Sequence, residues 1–260
     1  MAKTNSSAVP SLLKEIRAAL DSKVEEKLRS SEASRPKSHL KALGVRTPAL
    51  RMVARDVVSR GRSGLDYATA VSLLDAAVAR KVREEILVAI DILERYRREF
   101  DAPLFSHLEK WSAAADDVEV AEALGARIAA PSLAKEPSRM ALVKKWARLK
   151  SPGKRRLAVL AASGLVTEGR REAGLVLEMC EHLLNEDNPV LVSAVAGLLR
   201  DTTKVDAKAV QDFLFRRSID GNPDILRAGS ENLDAARRAA LIAKLEAQAG
   251  LPTQLAAAER

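Results

Sequence analysis

The stretch SPGKRRLAVLAAS, residues 151–163, places three basic residues at the start of an apolar run: Lys154, Arg155 and Arg156. Further cations precede it closely along the chain: Lys144, Lys145, Arg148 and Lys150. A helix start offers free backbone N–H groups, and beside guanidinium groups it is suited to hold a phosphate. The cluster as a whole therefore favours phosphate contact, although each single residue is equally well explained as a solvated helix end.

The composition of the chain points to the same kind of partner. The 260 residues carry a formal net charge of +8, and the pI is near 9.7. Such an excess of positive charge makes nucleic acid the first candidate partner, although charge alone does not establish one. Hydrophobic residues make up 47% of the chain and aromatic residues only 3%, and the abundant Ala, Leu, Arg and Glu favour helix.

Metal, disulfide and membrane functions are not expected from this sequence. The single cysteine, Cys180, lies in an apolar helical stretch and is predicted to pack in the core. The three histidines, at 39, 107 and 182, have no ligand spacing around them, so neither a metal site nor a cofactor is expected. Without a membrane-spanning stretch or a signal-like start, the protein is expected to be cytoplasmic, to avoid membranes and to act as a monomer.

Helical periodicity begins at Pro10 and continues through the chain with short breaks, and no alternating strand pattern occurs. Four Ala-rich helices resemble one another, and their aligned alanines recur at intervals of 32, 37 and 36 residues: Ala89, Ala121, Ala158 and Ala194. That period is typical of helix pairs. We predict an all-α fold with about 75% helix, a HEAT-like solenoid with a concave basic groove. Residues 10–260 would form one domain after a flexible tail, residues 1–9.

Other residues that could serve a site each have two interpretations. Asp116 and Asp117 precede a helix, and either could be its N-cap, with Asp117 the better candidate. Trp146 lies among cations in KKWARLK, where it could stack on a nucleotide or only cover helix ends. Three arginines could contact phosphate or pair with a nearby carboxylate such as Asp56 or Asp201: Arg46, Arg51 and Arg200.

Several stretches in order along the chain are similar to one known family. They are LGVRTPALRMVARD (43–56), REEILVAIDILERY (83–96), LEKWSAAADDVEVAE (108–122), GKRRLAVLA (153–161) and NPVLVSAVAGLLRD (188–201). Together they resemble the AlkD-type DNA alkylation repair proteins, HEAT-like enzymes that release N3- and N7-alkylated purines from DNA. The resemblance covers roughly residues 10–240, and GVRTP at 44–48 is its most distinctive part.

The resemblance implies a DNA glycosylase that acts on double-stranded DNA. By alignment, the family's carboxylate falls on Asp116 and its arginine on Arg156, which would grip a phosphate beside the lesion. An N-alkylpurine is already cationic, so its bond to deoxyribose breaks without a strong acid. A carboxylate would stabilise the cationic sugar and position a water. Aromatic faces would favour the cationic base by about 0.5–2 kcal/mol per ring.

The sequence departs from the family pattern at the aromatic positions. A Trp-Trp pair is expected before the carboxylate, but the chain has Trp111-Ser112, and a later helix expected to carry Trp has Gly197. Trp111 itself is better explained as a core residue. Two alternatives to catalysis therefore stay open: a non-catalytic protein that recognises distorted or branched DNA by its shape, and a helical-repeat scaffold that binds an acidic protein segment.

Overall fold

The computed structural model describes residues 8–28, 38–60, 65–167 and 172–249. These residues form two compact units, divided between Arg139 and Met140, here called the N-terminal and C-terminal units. The protein is 77% helical, and the described ranges contain no strand, only an isolated bridge between Lys41 and Val82. Most of the predicted tail, residues 1–7, lies outside the described residues, and the first helix begins at Val9, one residue before its predicted start.

The N-terminal unit consists of helices and short helical turns that follow one another closely. Its helices are α1 (Val9–Asp21), α2 (Thr47–Arg60), α3 (Tyr67–Arg80), α4 (Arg83–Leu93), α5 (Leu104–Trp111), α6 (Val118–Ala123) and α7 (Ala130–Lys135). Between them lie 3₁₀ turns at Glu94–Glu99, Ser112–Asp116 and Pro137–Arg139, and a π-helical segment at Leu124–Ala129. Helix α4 lies at the centre, where it packs against α1, α2, α3 and α6.

The C-terminal unit repeats a simpler pattern. Its helices are α8 (Met140–Ala147), α9 (Pro152–Thr167), α10 (Ala173–Cys180), α11 (Pro189–Thr203), α12 (Ala207–Arg216), α13 (Pro223–Gly229) and α14 (Ala235–Ala249). Helices α9, α11 and α13 pack in sequence as one layer, while α10, α12 and α14 form the other. Asn188, Asp206 and Asn222 cap α11, α12 and α13 through their side chains, which explains why the helices begin there.

The aligned alanines all lie on helices, and three of the four are fully buried. Ala89 on α4, Ala121 on α6 and Ala158 on α9 are fully buried, so the small side chain permits a close helix contact. Ala194 on α11 is only half-buried. The predicted all-α fold of helix pairs is confirmed. The single domain and the continuous groove stay predictions.

Pro131 lies in the first turn of α7, which continues to Lys135. Proline has no N–H group to bond the carbonyl of Arg127, four residues earlier. The chain accommodates it with a π-helical segment, Leu124–Ala129, directly before α7. One extra residue in a turn changes the hydrogen-bonding register, and such segments are frequent at functional sites.

The described helices include none that is both long enough and apolar enough to cross a bilayer. Cys180 is fully buried at the end of α10, as predicted for a core residue. Burial raises the pKa of its thiol to about 12, because the thiolate is disfavoured where water is excluded.

We therefore expect Cys180 to resist a disulfide reagent at pH 8 in the native protein. The thiolate is the reactive form, and here it is both rare and inaccessible. Labelling with a chromogenic disulfide should be at least about a hundredfold slower in the folded chain than in urea. Equal rates under the two conditions would contradict a buried position for Cys180.

Candidate nucleic-acid interface

The structure distinguishes between two adjacent aspartates of the N-terminal unit, Asp116 and Asp117, either of which could cap a helix according to the sequence. The Asp117 carboxylate accepts hydrogen bonds from the backbone N–H groups of Glu119 (3.1 Å) and Val120 (3.2 Å), which makes it the N-cap of α6. Burial nevertheless raises the pKa of Asp117, since desolvation outweighs these two bonds. The prediction of Asp117 as the cap is confirmed, and Asp116 is not needed for that role.

Asp116 ends the 3₁₀ turn that precedes α6, and its side chain is 54% exposed. The ring nitrogen Nδ1 of His39 lies 3.7 Å from its carboxylate oxygen Oδ2. The turn fixes the backbone of Asp116, because Asp117 in the next position is held by two hydrogen bonds of its own. The geometry therefore presents a positioned carboxylate to solvent.

The residues before Asp116 do not form an aromatic wall around it. Trp111 is 1% exposed, and its indole Nε1 donates a hydrogen bond of 2.7 Å to Asp75. This confirms the prediction that Trp111 is a core residue. Ser112 is also buried and donates its hydroxyl to the carbonyl of Glu109. Neither side chain can stack on a base at this surface in the conformation described.

The loop that contains GVRTP is held by a buried carboxylate that the sequence analysis missed. The two oxygens of Glu84 accept hydrogen bonds from the backbone N–H groups of Leu43 (2.9 Å) and Gly44 (3.0 Å). Gly44 has φ 84°, which only glycine adopts without strain. Glu84 is fully buried in the first turn of α4, with Arg83 beside it at 3.2 Å. No signal in a single sequence links these distant positions.

Two predicted arginines, one within this loop and one just after it, have different surroundings. Arg46 is exposed and forms an ion pair of 2.7 Å with Glu25, rather than with Asp56. Arg51 is exposed on α2 and lines a pocket of about 440 Å³. Arg51 takes part in no ion pair with another described residue. Of the two, Arg51 is the better placed to meet an incoming anion.

The basic cluster of the C-terminal unit is partly neutralised. Lys144 forms an ion pair with Glu178, which holds the pKa of that carboxyl below its usual range. The Nη2 atom of Arg148 lies 2.8 Å from Nε2 of His182. Burial and the charge of Arg148 lower the pKa of His182, so the neutral ring accepts this bond at neutral pH. The positive charge of Arg148 is therefore not neutralised in this contact, because its partner is a neutral ring and not a carboxylate.

Lys145 and Lys150 are exposed on α8 and just after it, and Lys154 and Arg156 are half-buried near the start of α9. Ser151 accepts the backbone N–H of Lys154 and thereby closes the first turn of α9. Because α9 packs against α8, the structure brings these predicted contacts together in one region of the C-terminal unit.

Arg155 is a correction to the predicted set of DNA contacts. One of its terminal nitrogens donates to the carbonyls of Leu149 (2.9 Å) and Lys150 (2.7 Å), while the other bonds Glu186. These bonds join the turn before α9 to the segment before α11. The guanidinium is occupied within the fold, so Arg155 has a structural role and does not face a phosphate.

Trp146 and Arg200 also depart from their predicted roles. Trp146 is 0% exposed, because α9 covers α8, and a fully buried indole cannot stack on a nucleotide. Arg200 donates to the carbonyl of Ala228 (3.2 Å) and to Glu231 (3.0 Å), so it joins α11 to the end of α13. It pairs with Glu231 rather than with Asp201, which contacts Lys204.

Helices that pair and pack in sequence define an all-α protein of the helical-repeat class. The family model for DNA alkylation repair enzymes matches residues 16–233, so the chain belongs to that family. A solved structure described as a predicted DNA alkylation repair enzyme from Enterococcus faecalis is similar in fold. Its TM-score is 0.65 at 13% sequence identity, over 82% of this chain and 98% of that one. No curated protein sequence matches the chain.

The buried contacts of Glu84 predict a large loss of stability on substitution. Glu84→Ala removes the acceptor of two buried N–H groups and leaves Arg83 without this neighbour, which should lower the free energy of unfolding by about 3 kcal/mol. Urea unfolding of Glu84→Ala should be compared with Glu99→Ala, whose carboxylate is exposed. Equal unfolding midpoints for the two variants would contradict the role given to Glu84.

Proposed function

We propose that the protein binds double-stranded DNA through its exposed cations and excises cationic N3- and N7-alkylpurines at Asp116. The proposal is supported by family membership and by one observation above all. Asp117 takes the capping role, and this leaves the adjacent carboxylate of Asp116 exposed. A carboxylate that the fold does not need as a cap, fixed at a helix start, is suited to meet a substrate.

The chemistry proposed for Asp116 needs no acid to protonate the leaving base. Alkylation at N3 or N7 gives the purine a positive charge, and the base leaves as a neutral molecule when the glycosidic bond breaks. Positive charge then develops on the deoxyribose. A carboxylate beside the sugar stabilises that charge and accepts a proton from the attacking water.

Phosphate contact is proposed for five cations of the C-terminal unit that keep an exposed or half-buried position: Lys145, Arg148, Lys150, Lys154 and Arg156. Lys144 would have to leave Glu178 to contact DNA. Each neutralised phosphate releases counterions, so the binding should be strongly dependent on salt.

A second candidate function, DNA binding without excision, is favoured by the absence of aromatic rings at the expected positions. Ser112 is buried and bonded to Glu109. A side chain at Gly197 would meet only the end of Arg200, at 3.8 Å, so this position is open and carries no ring. Without aromatic faces, a cationic base loses about 0.5–2 kcal/mol of attraction per ring. Recognition would then rest on the shape and deformability of the DNA.

Base release distinguishes the two candidates. Under single-turnover conditions with duplex DNA carrying N7-methylguanine, we expect release above the spontaneous rate. Asp116→Asn should reduce that excess by at least about a hundredfold, because the stabilising charge is lost. The matched control is Asp56→Asn, since Asp56 is an equally exposed aspartate that pairs with Arg60, away from the turn before α6. Release at the spontaneous rate in all samples, with DNA bound, would establish the non-catalytic function.

Phosphate contact by Arg156 is tested by the salt dependence of DNA binding. Arg156→Ala should weaken binding to duplexes of any sequence and reduce the slope of log K against log salt by about 0.9. Arg237→Ala serves as the control, because Arg237 is a surface residue of α14 that pairs with Asp234, the residue just before this helix. An unchanged slope for Arg156→Ala would contradict its assignment.

A further inference from the structure

A pocket of about 440 Å³ in the N-terminal unit concentrates arginines from three separate segments. Arg51 and Arg55 come from α2, Arg95 from the 3₁₀ turn after α4, and Arg127 from the π-helical segment. Two carboxylates, those of Asp91 and Glu94, also line the pocket. Its volume is in the range of small-molecule sites, and it is large enough to admit a phosphate with part of a sugar.

Two carboxylates offset only part of the charge of the four arginines, and Glu94 interacts electrostatically with Arg51 and Arg95 as well. Arg127 forms an ion pair with Asp91 and lies 3.9 Å from Glu94. Arg51, Arg55 and Arg95 are exposed, and none of them has an ion pair or a side-chain hydrogen bond within the described part of the chain. The pocket therefore holds a net positive charge with donors that the fold does not use.

Arginines at this spacing repel one another in the absence of a ligand. Arg51 and Arg55 are four residues apart on one face of α2, where like charges are unfavourable. Burial lowers the pKa of Arg127, and the positive charge of Arg51 lowers it further. A bound anion would relieve this repulsion.

We propose that this pocket binds a phosphate group through Arg51, Arg55 and Arg95, with Arg127 fixed beside them by Asp91. Three guanidinium groups, two from α2 and one from the turn after α4, can surround one phosphate and offer paired N–H donors to its oxygens. The phosphate belongs either to a DNA backbone, in which case the inference rests on the proposed function, or to a free nucleotide. Arg55, Arg95 and Arg127 were not among the contacts predicted from the sequence.

The test uses Arg51→Ala and two probes. One arm titrates the full-length protein with a short unmodified duplex, and the other with deoxyadenosine monophosphate, both at low salt. Arg60→Ala is the matched control, since Arg60 lies on the same helix, carries the same charge and pairs with Glu15 outside the pocket. Arg51→Lys is the second variant, because it keeps the charge but not the paired donors. Thermal unfolding of each variant checks its fold.

We expect Arg51→Ala to bind the relevant probe about tenfold more weakly than Arg60→Ala, with Arg51→Lys in between. Loss in the duplex arm identifies the DNA backbone as the source of the phosphate, and loss in the nucleotide arm alone identifies a free nucleotide. Equal affinities of Arg51→Ala and Arg60→Ala in both arms overturn the proposal, as does a wild-type protein that binds neither probe. If the wild-type protein binds the nucleotide through Arg51 but does not bind the duplex, the proposed function is refuted, while the proposed phosphate site in the pocket is supported.

Discussion

Two buried carboxylates in the first turn of α4 are the contacts on which the N-terminal unit depends. Glu84 holds the 43–44 loop through two backbone N–H groups. Glu85 accepts hydrogen bonds of 2.7 Å from Arg17 of α1 and from Arg80 at the end of α3. Both carboxylates are fully buried, and a buried charge that loses its partner costs about 3–5 kcal/mol. One helical turn thus joins α1, α3 and the loop before α2, and the arginines of α2 depend on that loop for their position.

The fold was predictable from the sequence because it follows from local patterns. Apolar spacing and capping residues each act within one or two helical turns, the Ala-rich pattern recurs at a regular interval, and together they correctly indicated an all-α protein of helix pairs. The same is true of Asp117, whose hydrogen bonds reach only two and three residues ahead. The π-helical segment was not predicted, because a change of hydrogen-bonding register before Pro131 leaves no signal in the apolar spacing.

The candidate site was less predictable, because its chemistry depends on contacts between distant residues. Arg155 stands in the middle of a run of three cations in the sequence, yet it bonds the carbonyls of the preceding turn and Glu186. Trp146 lies among cations in the sequence but faces the interior, since one face of α8 is covered by α9. Composition locates a cluster of charge, but the partners of each charge decide which members face solvent.

The π-helical segment also fixes the angular phase of the helix that contains it. Each residue of an α-helix advances the side-chain direction by about 100°, so one additional residue in a turn rotates everything beyond it by that amount. Arg127 lies inside this segment, and its direction toward Asp91 is set relative to α6 on one side and α7 on the other. Deletion of a single residue here would leave a regular helix of nearly the same length. It would also turn α7 by more than a quarter of a revolution relative to α6. Because residues 130–134 are all buried, every one of these side chains would have to find new packing partners.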